Sequence, residues 1–375
     1  MYRRVWSEID LDAVRHNLRV LRSHLGNVGV WAVVKADAYG HGALAVSGVL
    51  ESEGVRGLAV ASLDEALSLR DGGIKTSILV LGETPPEGIP LLQRHRIDQC
   101  LFRPEHLAGW APMLDVHLPP PGIHVKVDSG MRRLGVPPSA LPHLAREFEQ
   151  SAFQPVGIFT HFPSADHDPE GTGASLDSFR GGIDASGWMD KFPQCERHAA
   201  NSPAILRGPG FHLDSVRLGY VLYGARPPGM YPTSTPSVLP VMSVHARIVD
   251  HKTIRAGEPF GYGRTTFPDS RRLGIIPIGY ADGYLRSLSG KAMVLVRGQF
   301  APVVGTISMD FLYADLSGVE SKVGDRVTLL GRQGEREIRM EDLAKWGDTI
   351  PYEMLTLLGK RAPRITLSSE TIHSL

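Results

Sequence analysis

A chain of 375 residues is long for a single domain and predicts two, and a hydrophobic share of 42% with 21% charged residues is ordinary for a globular protein. Forty acidic and forty basic residues cancel, so no basic excess points to nucleic acid and no charge run points to a membrane surface. Only Cys100 and Cys195 occur, which excludes a disulfide framework. Arg3-Arg4 has no apolar core behind it and no apolar run reaches spanning length, so a cytoplasmic protein is expected.

In chain order, Val5 to Leu11 reads as a short strand. Asp12 to Leu25 reads as a helix, with Asp12 as N-cap and a stripe of Ala13, Leu18, Leu21 and Leu25. The stretch Val30-Trp31-Ala32-Val33-Val34-Lys35-Ala36-Asp37-Ala38-Tyr39-Gly40-His41-Gly42 follows. It begins as a strand buried on both faces and ends in a lysine, a short polar turn and two glycines, before a helix from Ala43 to Leu50. Lys35 therefore stands at the carboxyl end of a parallel strand, either as a nucleophile or as a solvated charge.

Further apolar runs lie near 57–61, 77–81, 96–101, 122–127, 155–161, 196–200 and 214–218, with helical patterns such as Ser62 to Arg70, Pro104 to Met113 and Ser139 to Gln150 between them. About eight strand–helix units in roughly 230 residues predict a (β/α)8 TIM-type barrel. The competing doubly wound sheet lacks a Gly-x-Gly-x-x-Gly after a strand. Residues 163–194 are rich in Asp, Gly, Ser and Pro, with Gly181-Gly182 at what should be a helix centre, and predict a loose connection. Pro227-Pro228-Gly229, followed by Pro232, Pro236 and Pro240, reads as a linker. Beyond it β-type runs dominate: Val241 to Val249, Arg272 to Ile278, Ala292 to Val296, Ala301 to Val304, Phe311 to Asp315 and Arg326 to Leu330. The expected organisation is an α/β barrel over 1–235 and a mostly β domain over 236–375, with the first residues candidates to pair with the β domain.

Several barrel-strand ends carry reactive residues: Lys35 and Tyr39; Lys126 to Gly135; His161; Asn201-Ser202; and Arg217 to Tyr220. In a barrel these ends converge on one mouth. Each alone can be a satisfied core residue or an ion pair; their recurrence at one edge favours function. A sheltered lysine has the lowered pKa that condensation with an aldehyde requires. Ser202, Gly219 and Tyr220 offer donors to a phosphate, and Arg217 offers one to a ring nitrogen. Together these suggest pyridoxal 5'-phosphate.

The segment Val33 to Gly42 resembles the cofactor-lysine signature of alanine racemases, a family of fold-type III pyridoxal-phosphate enzymes. Ordered matches run along nearly the whole chain: Trp6 to Leu11, Lys126 to Met131, Arg133-Leu134-Gly135, Thr160-His161-Phe162, Asn201-Ser202, Val216 to Gly219, Gly261 to Arg264, Pro277 to Gly283, Val304 to Asp310 and Ile350 to Glu353. The resemblance implies a barrel followed by a β domain, and a head-to-tail homodimer in which that domain completes the partner's active site. It implies that Lys35 forms the internal aldimine and serves as one acid/base, with Tyr262 of the other subunit as the second, on the opposite face of the substrate's α-carbon. His161 and Arg217 form the hydrogen-bond chain behind that tyrosine, and Arg217 faces the pyridine nitrogen. Arg133, helped by the Met309 backbone, binds the substrate carboxylate. Tyr39, Ser202, Gly219, Tyr220 and Tyr352 hold the phosphate, with Asn201 beside them. Lys126 matches a lysine carbamylated in many members, and Tyr280 and Asp310 match the narrow substrate entrance. Arg132 beside Arg133 makes a double arginine.

The implied activity is interconversion of L- and D-alanine, supplying D-alanine for peptidoglycan. A serine or broader amino-acid racemase shares both bases. A decarboxylase of the same fold has no need of Tyr262. A non-catalytic pyridoxal-phosphate binder has no use for Tyr262 or for a β domain.

Overall fold

In the computed structural model, residues 4–227 and 236–369 are described; most of the predicted linker, 228–235, lies outside them. The chain divides into two units, one of residues 14–38 and 43–238, the other of 1–13, 39–42 and 239–375.

The first strand, β1 (Val5–Asp10), belongs to the second of these units. The first unit is built on β2 (Gly29–Val33), β3 (Gly57–Val60), β4 (Ile78–Val80), β5 (Ile97–Leu101), β6 (Gly122–Lys126), β7 (Gln154–Phe159), β8 (Glu196–His198) and β9 (Ser215–Leu218). All eight pair in parallel in chain order, and β9 returns to β2 with Trp31 opposite Arg217, so the sheet closes into a barrel. Strands β3, β4 and β9 are buried at every position, as a sheet covered on both faces requires. These are the eight runs the sequence predicts.

One expectation fails. Within 163–194 the chain forms an 18-residue helix, Pro169–Ser186, rather than a loose connection. The helix has strong ends: the Asp168 side chain caps the Gly171 N–H, Pro169 occupies the first turn, and Gly187 closes the helix in the left-handed region at φ 62°. The two glycines differ. A β-carbon on Gly182 would stand 2.6 Å from Pro138 Cβ, whereas one on Gly181 would meet nothing within 4 Å. Gly182 is thus a packing contact inside a sound helix rather than a helix break.

The second unit holds β10 (Met242–Arg247), β11 (Asp250–Ile254), β12 (Arg271–Ile276), β13 (Met293–Val296), β14 (Gln299–Val304), β15 (Leu312–Asp315), β16 (Arg326–Gln333), β17 (Arg336–Ile338) and β18 (Arg364–Leu367). The sheet runs β11-β12-β15-β14-β13-β16-β10-β1-β18, with β17 on β16. The N-terminal strand β1 lies between β10, antiparallel, and β18, parallel. The turn joining β13 to β14 places Arg297 at φ 50° and Gly298 at φ 76°, the doubly left-handed geometry that suits the twist of a tight hairpin. Two short helices, Met340–Gly347 and Pro351–Leu357, complete the unit.

Candidate active site

Lys35 follows β2 after a single residue, Val34, and opens an unusual stretch of backbone. Ala36, Asp37, Ala38 and Tyr39 all have φ between 52° and 56°, one turn of left-handed helix without a glycine. Each such residue costs about 1–2 kcal/mol, so the surroundings must hold the turn in place. Glu65 does much of this: one carboxylate oxygen accepts the Ala36 N–H at 2.7 Å and the other accepts the Ala61 N–H at 2.7 Å. The Asp37 carboxylate accepts the Ala43 N–H at 2.7 Å, and the Ala38 N–H bonds Val34 O at 2.8 Å. Glu65 was legible only as part of a Ser62-x-x-Glu65 helix start; its grip on the turn beside Lys35 depends on the fold.

Burial lowers the Lys35 pKa, and the Arg133 and Arg217 charges lower it further against an opposing pull from Glu65. Lys126, at the end of β6, is buried and likewise lowered, chiefly by desolvation; its ammonium lies 6.0 Å from the centre of the Phe159 ring. Arg133 is the arginine whose charge reaches Lys35, Lys126 and His161. Arg132 takes a left-handed conformation with its N–H on Asp128 at 3.0 Å. That difference separates the two adjacent arginines.

Arg217 is the most constrained residue of the mouth. One terminal nitrogen donates to His198 Nδ1 at 2.9 Å and to His198 O at 3.2 Å. The other donates to Thr160 O at 2.6 Å and Ala199 O at 2.9 Å, and stands 3.3 Å from His161 Nδ1. Its Nε has no acceptor among the described residues. Burial brings the guanidinium down to about 10, so it stays charged at neutral pH. Desolvation and the Arg217 charge together push His161 well below its ordinary value, leaving it neutral.

Beyond β8, Asn201 caps the helix Ser202–Arg207, its side chain accepting the Ala204 N–H at 3.3 Å and donating to Phe162 O at 3.2 Å. The buried Ser202 hydroxyl accepts the Val221 N–H at 3.3 Å and keeps its own proton to donate. Gly219 and Tyr220 follow β9 and are buried beside it. Ser202, Gly219 and Tyr220, three of the five residues assigned to a phosphate, therefore follow the seventh and eighth barrel strands, where such barrels bind phosphate.

The remaining candidates belong to the second unit. Tyr262 is 72% exposed, at the tip of a tight loop. Gly261 and Gly263 flank it at φ 60° and 81°, and the Phe260 N–H bonds Thr265 O at 2.9 Å. Tyr280 and Met309 are exposed on neighbouring backbone, since the Tyr280 N–H bonds Ser308 O and the Ala281 N–H bonds Met309 O, both at 3.1 Å. Asp310 is paired with Arg361 at 2.6 Å. Tyr39 falls in this unit with Tyr352; a β-carbon on Gly40 would stand 2.4 Å from Leu355 O, so the glycine lets the chain lie against the helix carrying Tyr352. Burial raises the Tyr39 phenol to about 12, so it remains a hydrogen-bond donor.

A closed parallel barrel with a desolvated lysine, buried cations and hydrogen-bond donors at its carboxyl edge is the architecture of a barrel enzyme. The family profiles agree in detail: "Alanine racemase, N-terminal domain" matches residues 9–227 and "Alanine racemase, C-terminal domain" matches 241–366. The alanine racemase of Desulfovibrio desulfuricans is 39% identical over 378 residues, covering 97% of this chain and 98% of its own. That of Carboxydothermus hydrogenoformans is 35% identical, covering 97% and 99%. Among solved structures, alanine racemase from Bacillus anthracis with bound L-Ala-P superposes with a TM-score of 0.91 at 33% identity, over 98% of this chain and 96% of that one. Alanine racemase from the D-cycloserine producer Streptomyces lavendulae gives 0.92 at 32% identity over all of both chains. The chain belongs to the alanine racemase family.

Proposed function

We propose that this protein is a pyridoxal-phosphate-dependent racemase that interconverts L- and D-alanine, with Lys35 and Tyr262 as its two bases. The observation that carries the proposal is Lys35 itself: desolvated, beside two arginines, at the carboxyl end of a barrel strand.

The donor set suits pyridoxal 5'-phosphate. Lys35 offers an amine with a lowered pKa, and Arg217 offers an Nε hydrogen that no described residue takes. Ser202, Gly219 and Tyr220 offer donors for the phosphate, joined by Tyr39 and Tyr352. When bound, the cofactor supplies an electron sink for the charge left on the substrate's α-carbon. An arginine donates a hydrogen bond to the ring nitrogen but does not readily give up its proton, so the sink is weak.

Racemisation needs a proton taken from one face of the α-carbon and another returned to the opposite face. Lys35 serves the first face, its amine made easier to deprotonate by burial and by Arg133. Tyr262 of a second copy of the chain serves the other. Its exposure, like that of Tyr280 and Met309, suits a residue displayed to a partner. Arg133 holds the substrate carboxylate with help from the Met309 backbone. Lys126, buried and lowered, is suited to react with carbon dioxide, and the resulting anion would fix Arg133. Tyr280 and Asp310 narrow the entrance and favour a small side chain. The product, D-alanine, serves peptidoglycan synthesis.

A racemisation assay over L-alanine, L-serine, L-lysine and L-arginine tests the reading. Alanine should be turned over fastest, and Lys35→Ala should abolish turnover. Activity retained in Lys35→Ala would overturn the mechanism, and a preference for serine or the basic amino acids would overturn the substrate.

A further inference from the structure

We infer that His124, low in the barrel, is a positioning residue for the mouth: acting through His198, it fixes the seat of the Arg217 guanidinium. The inference rests on the reading above that Arg217 faces the cofactor ring.

The hydrogen positions follow from geometry. A guanidinium has donors and no acceptor. Since Arg217 lies 2.9 Å from His198 Nδ1, that nitrogen must present a bare lone pair. His198 is fully buried, and desolvation together with the Arg217 charge favours its neutral form, so its single hydrogen is on Nε2. His198 Nε2 lies 3.0 Å from His124 Nδ1, which must therefore accept. The hydrogen of His124 is then on Nε2, the nitrogen 3.8 Å from the Asp98 carboxylate. The donors all point one way, from Arg217 through His198 and His124 towards Asp98. In this arrangement Arg217 sets the His198 tautomer, and His124 holds the ring in place by supplying the acceptor for its last buried hydrogen.

The rings have little freedom to choose otherwise. Phe159 stacks on His198 with centroids 4.7 Å apart and planes 9° apart. Trp31 stacks on His198 at 6.3 Å and meets His124 edge-on at 5.2 Å, with its own N–H on Glu196 at 3.3 Å. A β-carbon on Gly157 would stand 2.1 Å from His124 Nδ1, so only glycine leaves room for the ring. The residues come from six of the eight barrel strands, which makes the array a property of the closed barrel.

Removing the His124 acceptor leaves the His198 Nε2 hydrogen buried without a partner. The His198 ring then tilts towards another acceptor, and the Arg217 guanidinium that donates to its Nδ1 shifts with it.

The test uses cofactor-loaded enzyme with ring-15N histidine and, separately, with a 15N-labelled cofactor ring. In the wild type, His124 and His198 should both show a bare Nδ1 and a protonated Nε2. His124→Leu should shift the His198 ring-nitrogen signals as its Nε2 hydrogen loses its acceptor, shift the cofactor ring-nitrogen signal, and lower kcat by about ten- to a hundredfold with KM little changed. His124→Asn keeps an acceptor oxygen near the position of Nδ1 and should restore both signals and most of kcat. Wild-type His198 carrying its hydrogen on Nδ1 would overturn the inference without any variant. Equal losses in His124→Leu and His124→Asn would overturn it in favour of packing alone. Arg217→Lys separates the two readings: correct tautomers with a ring-nitrogen signal indifferent to Arg217→Lys would overturn the placement of Arg217 at the ring, and with it any role of His124 in the reaction.

Discussion

Lys35 is held in a state that disfavours its own charge, and this has a consequence for the cofactor-free protein. Its folded pKa lies below its unfolded value near 10.5. Between those two values the unfolded chain binds the extra proton, so stability rises with pH across that window, and the penalty is fully present below the folded pKa. Lys35→Met should therefore raise the melting temperature of the cofactor-free enzyme at pH 7, with the gain shrinking towards pH 10.5. A gain independent of pH would show that the amine is not desolvated. Glu65 acts on the same residue through the backbone. Glu65→Ala strips two N–H groups of a charged acceptor and should lower stability by about 1.5–3 kcal/mol in urea melts. Unchanged melts would mean the left-handed turn is held by its other contacts. On β9, the strand neighbouring β2, Arg217→Glu should raise pyridoxamine formation per turnover, because a carboxylate lets the ring nitrogen protonate and strengthens the sink. No rise in that side product would count against a weak sink at this site.

Gly181 and Gly182 separate helix propensity from packing. Gly181→Ala meets no neighbour and should stabilise by about 0.5–1 kcal/mol. Gly182→Ala pushes into Pro138 and should destabilise by about 1–3 kcal/mol despite the same propensity gain. Chemical melts of the two variants check the opposite signs. The same contrast explains what was legible in the sequence. Barrel strands stood out because a sheet buried on both faces makes continuous apolar runs, as Val30 to Val34 does. The helix Pro169–Ser186 is hidden in the sequence because Gly182 answers to a tertiary contact with Pro138. The edge strand β11, Asp-His-Lys-Thr-Ile, was missed because its exposed residues carry no apolar pattern and it pairs only with β12. Lys35, Arg217 and the phosphate donors were readable from their recurrence at strand ends. Glu65 and His124 were not, because their partners lie 29 and 74 residues away in sequence.

At the scale of the whole molecule, the account divides one active site between two chains: Lys35 from the barrel of one copy and Tyr262 from the β domain of another. Complementation tests this division most directly. Lys35→Ala and Tyr262→Phe chains, each severely impaired alone, are co-expressed with different tags and allowed to assort. In a mixed dimer one site carries both substitutions and the other carries neither. Random assortment of equal amounts should therefore restore about a quarter of wild-type activity per chain, and tandem-tag-purified mixed dimers about half. Mixed dimers no more active than the mean of the two parents would contradict the division, because they would place both bases on the same chain.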